Sequence, residues 1–215
     1  MTAHAYRRRL VIMARAPRAG AVKSRLAREI GTGAAAGVYR HLVSATVARL
    51  ADPRRWELVL AVTPDRLLHD RSLPGGVRRL PQGPGDLGDR MSRLLSSAGC
   101  GPVVIVGSDI PGIRRDDVAR AFAVLGRRDV VFGPAADGGY WLIGAARPLP
   151  PRLFEGVRWS SPHALSDTAA NLGRFSAGCL RQLWDLDTGD DYRRLGAGVR
   201  RCGFTSAPPR SAPPS

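Results

Sequence analysis

The sequence predicts a three-layer α/β/α domain on a mostly parallel, Rossmann-like sheet. Apolar, strand-like runs alternate with helical patterns from one end of the chain to the other, the signature of helices packed on a parallel sheet. One run, Pro102-Val-Val-Ile-Val106, is apolar throughout, as befits a central strand covered on both faces. The 215 residues, 44% of them hydrophobic, suffice for one core of ordinary size.

The elements follow in order. Residues 10–14 read as the first strand, and a Pro/Gly loop covers 15–22. Helical patterns run over 23–29 and 34–50, a second strand over 56–62 and a short strand around 77–80. Residues 86–97 are amphipathic, with Leu87, Met91, Leu94 and Leu95 at helical spacing. Beyond the 102–106 strand come a helix over 116–125 and strands over 130–132 and 140–143, the latter two flanking a loop with Asp137-Gly-Gly139. A helix over 162–172, a late strand over 180–186 and a final helical turn or two over 190–195 complete the pattern. No repeat or internal linker interrupts it. One domain is therefore expected over 1–204, followed by a Pro/Ser-rich tail, 205–215, expected to be disordered.

Composition narrows the function. No apolar run approaches a membrane span. The stretch 10–14, followed by Arg15 and Arg18, is too short for a signal-peptide core, so a cytoplasmic protein is expected. Cys100, Cys179 and Cys202 lie far apart without CxxC spacing, which suggests neither a disulfide framework nor a zinc site. The net charge of +15 raises nucleic-acid binding as a distant alternative. The basic residues are nevertheless spread along the chain with no aromatic-interleaved motif, and the richness in Arg, Ala, Gly and Pro matches GC-rich coding. The charge suits small anionic substrates. Of the 33 basic residues only Lys23 is a lysine. A lysine that survives such pressure marks a place for a compact ammonium on a flexible stem rather than a planar fork, and phosphate binding is one such place.

Ligands of open α/β sheets bind at the carboxyl ends of the strands, and three loops there carry unusual chemistry. The first, Ala14-Arg-Ala-Pro-Arg-Ala-Gly-Ala-Val-Lys-Ser-Arg-Leu26, concentrates Arg15, Arg18, Lys23 and Arg25 around Gly20, follows a strand and opens a helix. Its spacing is neither the P-loop nor the dinucleotide fingerprint. It reads as a phosphate-binding loop or as a solvated basic turn. The second, Val106-Gly-Ser-Asp109, sets a carboxylate at a strand tip, where it can hold Mg²⁺ or cap the next turn. The third, Trp184-Asp-Leu-Asp-Thr-Gly-Asp-Asp191, puts Asp185 and Asp187 on one face of a strand, about 7 Å apart. They hold a metal or are solvated, while Asp190 and Asp191 begin the next helix. Gly133-Pro-Ala-Ala-Asp-Gly-Gly-Tyr-Trp-Leu-Ile-Gly144 contains a hairpin turn or room for a substrate against bare backbone. Gln82-Gly-Pro-Gly-Asp-Leu-Gly-Asp-Arg-Met91 precedes a helix and offers Gln82 and Asp86 as nucleotide contacts. His163, after Trp159-Ser-Ser-Pro, reads as a surface residue.

In this order the motifs resemble the bacterial family of domain of unknown function 2064, often labelled glycosyltransferases of arsenosugar-biosynthesis type. They are similar at longer range to 2-phospho-L-lactate guanylyltransferase. The resemblance spans residues 8–195. It implies the nucleotide-diphospho-sugar transferase (GT-A) fold, with nucleotide phosphates on Arg15, Gly20, Lys23, Ser24 and Arg25. It further implies Mg²⁺ or Mn²⁺ on Asp109, Asp185 and Asp187, and a small anionic acceptor near Asp137, Gly138, Gly139, Ser160 and Ser161. Lys23 and Asp109 would be catalytic. Arg15 and Ser24 stand where the family more often has Lys and Thr, and a single Asp follows Ser108 in place of Asp-x-Asp. The expected activity is nucleotidyl transfer with pyrophosphate release, glycosyl transfer from a nucleotide-sugar being the alternative. The expected partners are a nucleotide and a small acceptor, without membrane or nucleic acid; a homo-oligomer is compatible with the sequence.

Overall fold

The computed structural model describes residues 7–97, 101–146, 149 and 151–201, with side chains through residue 195. Cys100, Cys202 and the expected disordered tail lie outside the described residues. The strands are β1 (Arg9–Arg15), β2 (Glu57–Thr63), β3 (Arg78–Pro81), β4 (Val103–Gly107), β5 (Val130–Pro134), β6 (Tyr140–Ala145) and β7 (Ala177–Cys179). They form one seven-stranded sheet in the order β3-β2-β1-β4-β6-β5-β7. All neighbours are parallel except β6, which runs antiparallel between β4 and β5. The helices are α1 (Ser24–Ile30), α2 (Thr32–Leu50), α3 (Leu87–Ser96), α4 (Arg115–Leu125), α5 (Ala164–Ala170) and α6 (Gly189–Arg201).

The period-two alternation of a strand sorts β1 between two cores. Leu10, Ile12 and Ala14 pack with Tyr39, Val43 and Val47 of α2 and with Val118 and Phe122 of α4. Val11, with half-buried Met13, joins Met91 and Leu94 of α3 and Leu153 and Phe154 on the opposite face. Both faces are thereby covered, which is why β1, β2 and β4 are apolar between their terminal residues. No helix among the described residues is long and apolar enough to cross a membrane.

The expected late strand is displaced. Pairing with β5 occurs at 177–179, and the 180–186 stretch is irregular apart from a single bridge, Leu183 to Ala135. Its polar side chains explain the difference. Arg181 turns aside to make a bidentate pair with Asp117 of α4 (2.7 and 2.8 Å), and Gln182 donates to the Ala135 carbonyl. Burial, the largest single influence, would raise the Asp117 carboxyl, but hydrogen bonds from Arg181 and the Arg114 amide together outweigh it and hold the carboxyl below the usual range. A short 3-10 turn, Asp65–Leu67, after β2 carries no signal in the apolar pattern.

The irregular stretch is fixed by Leu186. This side chain is fully buried in a third cluster with Leu26, Ala35 and Leu42, and its amide donates to the Asp109 carbonyl at 3.0 Å. One hydrophobic peg and one backbone hydrogen bond thus hold the chain against the tip of β4, leaving the flanking Asp185 and Asp187 partly exposed. Leu186→Ala should lower unfolding free energy by about 2–5 kcal/mol, the range for a truncated buried leucine, as read from the urea midpoint at unchanged slope.

Candidate active site at the carboxyl ends of the strands

The loop after β1, the tip of β4 and the stretch after β7 meet around one cleft of about 800 Å³. Arg15, Gly20, Lys23, Ser24, Arg25, Tyr39, Asp109, Ser160, Asp185 and Asp187 line it. Each first-loop residue expected to meet phosphate lines this cleft. Arg18 does not: it leans away and pairs with Asp70, tethering the loop to the segment after β2. Ser24 opens α1, and Arg25 is exposed, 3.7 Å from Asp187.

Lys23 is at the centre. It takes a left-handed backbone conformation (φ 51°, ψ 49°) as it enters α1, and its side chain is only 5% exposed. Its Nζ donates to Asp109 Oδ2 at 2.5 Å and to Asp187 Oδ1 at 2.7 Å, and it lies 5.9 Å from the centre of the Tyr39 ring. Burial alone would favour the neutral amine. The two carboxylates outweigh it and raise the pKa above the usual lysine value, so the ammonium is charged throughout the neutral range.

Asp109, Asp185 and Asp187 each offer an oxygen within 4.8 Å of the others. Burial, followed by repulsion from Asp187 and Asp109, pushes the Asp185 carboxyl up to about 6. Three hard oxygen donors at this separation suit Mg²⁺ or Mn²⁺, and a cation there would relieve the part of the Asp185 rise that comes from its neighbours rather than from burial.

The tip of β4 is positioned from α2. Tyr39 Oη accepts the Arg15 amide at 3.0 Å and shares a 2.9 Å hydrogen bond with Ser108 Oγ. Thr46 donates to the Ser108 carbonyl at 3.2 Å. The sequence reading gave Tyr39 no role beyond a helical segment. Its chain position carries no motif, and only the fold brings it beneath Lys23.

A second cavity of about 240 Å³ opens beside the first and shares Asp109, Ser160 and Asp185 with it. Leu87, Ile110, Tyr140, Trp141, Trp159, Ser161, Asp137 and Gly139 are among its walls. The residues expected near an acceptor gather here. Gly138 stands behind them: its φ is +87°, and a side chain there would collide with the Pro162 backbone. The turn at 135–139 is thus both a hairpin and a wall of the cavity. Asp137 accepts the Gly139 amide through Oδ1, and Ser161 Oγ is engaged with the Arg158 carbonyl and the His163 amide. His163 is exposed, at the start of α5. No Lys or Arg is among the described residues that line this cavity.

Gln82 and Asp86 line neither cavity. Gln82 is buried, and its amide donates to the Ala14 and Ala61 carbonyls at 3.1 and 2.9 Å, clamping β1 to β2. Asp86 caps α3 in a reciprocal box with Asp89. Both serve the architecture under the site.

Among the described residues, two non-glycine residues have positive φ, Lys23 and Ser160 (56°). Such conformations concentrate at functional sites, and both line the cleft.

The family described as "uncharacterized protein conserved in bacteria", domain of unknown function 2064, matches residues 46–161. The chain belongs to this family. No functionally curated protein matches the sequence. Among solved structures, the chain is similar to a protein of Desulfovibrio desulfuricans G20 described as a candidate nucleotide-diphospho-sugar transferase. The two share 29% identity over 93% of this chain and 90% of that one, with a TM-score of 0.83. It is similar in fold to Rv0371c of Mycobacterium tuberculosis H37Rv, solved as a manganese complex, with 18% identity, 88% and 97% coverage and a TM-score of 0.54. A cytidylyltransferase of Leptospira borgpetersenii serovar Hardjo-bovis aligns at 16% identity, 94% and 89% coverage and a TM-score of 0.60. This domain of unknown function 2064 protein therefore has the nucleotide-diphospho-sugar transferase fold expected from its sequence, and its structural neighbours include transferases of nucleotides.

Tyr39→Phe would leave the Arg15 amide and Ser108 hydroxyl without their shared partner in a buried position. It should cost about 1–3 kcal/mol of stability, seen as a lower urea midpoint, while Tyr192→Phe on the exposed face of α6 should leave the midpoint unchanged.

Proposed function

We propose that the chain is a metal-dependent transferase acting on a nucleoside triphosphate or nucleotide-sugar, with nucleotidyl transfer and pyrophosphate release as the leading reading. One observation carries it. A cationic loop and three carboxylates from distant parts of the chain face each other across a cleft that has room for several phosphates.

Asp109, Asp185 and Asp187 are the residues that would hold a divalent ion. When bound, such an ion supplies Lewis-acid neutralisation of phosphate charge. Arg15, Lys23 and Arg25 bind and orient the phosphates and stabilise negative charge on the departing pyrophosphate. Ser24 offers a hydroxyl to the same oxygens. Catalysis of this kind is positioning and electrostatics, which agrees with the lack of a nucleophile–base pair among the lining residues. Asp109 lies on the wall common to both cavities, so a group in the smaller one meets the phosphate chain beside the carboxylates.

The second reading is glycosyl transfer from a nucleotide-sugar, and a specific observation favours it. The smaller cavity presents aromatic faces, Asp137 and hydroxyls, but no Lys or Arg among its described lining residues. An uncharged sugar ring suits that lining better than the anionic acceptor expected from sequence.

Turnover of a nucleotide panel with Mg²⁺ or Mn²⁺ tests both. Pyrophosphate release from one triphosphate in the presence of acceptor is expected. Turnover of sugar-nucleotides with no release from any triphosphate would reverse the ranking. Asp109→Asn should reduce metal-dependent turnover by at least a hundredfold, and unchanged turnover would remove Asp109 from the site. Lys23→Ala should weaken nucleotide binding in calorimetry while the urea transition stays cooperative; wild-type affinity would contradict its phosphate role.

A further inference from the structure

The ammonium of Lys23 occupies the carboxylates to which the preceding reading assigns a metal. It takes one oxygen of Asp109 and one of Asp187, at 2.5 and 2.7 Å, from a nearly sealed position. Asp185, the third member of the trio, receives no such contact from Lys23. The trio is thus two-thirds paired by a cation that belongs to the protein. Arg25 does not duplicate this role: it is exposed and reaches only Asp187, at 3.7 Å.

We propose that Lys23 is a latch on the metal site. In the free protein it holds Asp109 and Asp187 and weakens their hold on a divalent ion. Nucleotide phosphates, entering along Arg15 and Arg25, draw the ammonium across the cleft, so metal and phosphates bind together. The inference rests on the reading of the cleft as a metal and nucleotide site, and adds the order in which that site assembles.

Three features support the motion. A lysine is a point charge on four rotatable carbons and can exchange one anion for another by turning its stem, which a planar guanidinium held in a fork does less readily. The left-handed backbone at Lys23 fixes where that stem begins. The Arg15 and Lys23 side chains line the same cleft, so the two sets of anions compete for Lys23 at short range. Linkage then requires that phosphates tighten metal binding and that metal tightens phosphate binding by the same factor.

Mn²⁺ binding followed by electron paramagnetic resonance, without nucleotide, tests the latch directly. Lys23→Met should bind Mn²⁺ at least tenfold more tightly than the wild type, because the competing charge is gone. Equal or weaker binding by the variant would overturn the proposal. The variant removes the ammonium from Asp109 and Asp187, leaving only the exposed Arg25 near Asp187, and loses stability, so its melting temperature should be low without metal and rise more with Mn²⁺ than that of the wild type.

A second measurement uses the unaltered protein. Lys23 is the sole lysine, so ¹⁵N-lysine labelling gives a single side-chain ammonium resonance. It should move little with Mg²⁺ alone and shift when Mg²⁺ and inorganic triphosphate are added together. A resonance unmoved at saturating Mg²⁺ and triphosphate would overturn the latch while leaving the functional reading intact. If neither wild type nor variant binds Mn²⁺ or triphosphate, the functional reading itself falls, and the latch with it.

Discussion

Three carboxylates cannot share a half-buried space without a cation, and the local arrangement of this protein answers that constraint. Coulomb repulsion between neighbouring charges a few ångströms apart is about 4 kcal/mol at the effective dielectric of a protein surface. One oxygen each of Asp109, Asp185 and Asp187 is nevertheless brought within 4.8 Å of the others, because the Leu186 side chain and the Leu186–Asp109 backbone hydrogen bond anchor the 185–187 stretch against the tip of β4. The Lys23 ammonium offsets the repulsion at two of the three. Burial and then repulsion from Asp187 and Asp109 raise the Asp185 carboxyl, while the same two carboxylates overcome burial to hold the Lys23 ammonium charged.

The scaffold explains why these groups meet. Lys23 follows β1, Asp109 follows β4, and β1 and β4 are parallel neighbours in register from Arg9↔Val103 to Met13↔Gly107, so their loops emerge side by side. The third contribution arrives from the far edge of the sheet, carried back by the stretch after β7. Tyr39 and Thr46, on the inner face of α2, hold the β4 tip from beneath. The catalytic chemistry proposed for the cleft needs little beyond this positioning.

Much of this was legible in the sequence. The apolar runs located β1, β2 and β4, because strands buried on both faces have no polar positions to blur them. The lone lysine and the Gly-Ser-Asp strand tip pointed to the cleft, because strand ends are where such folds bind ligands. The 180–186 stretch was misplaced because its apolar residues, Leu180, Leu183 and Leu186, anchor an irregular path through Arg181 and Gln182 rather than a ladder. Gln82 and Asp86 were read as nucleotide contacts because glycines surround them, while the fold uses one as a strand clamp and the other as a helix cap. Tyr39 was silent because a helical tyrosine facing a core looks the same whether or not its hydroxyl supports a site. The charge of the smaller cavity was invisible because its walls come from five separate stretches of chain.

The antiparallel strand β6 has a consequence for how such proteins diverge. By turning back between β4 and β5, it sets the 135–139 hairpin beside the carboxylates without entering the basic loop after β1. The two cavities are built from largely separate stretches of chain and adjoin at Asp109, Ser160 and Asp185. Drift in the hairpin and in the Trp159–Ser161 corner can reshape the smaller cavity while the basic loop and the cleft it lines stay intact. A lineage with this layout is free to vary one chamber and leave its neighbour as it was.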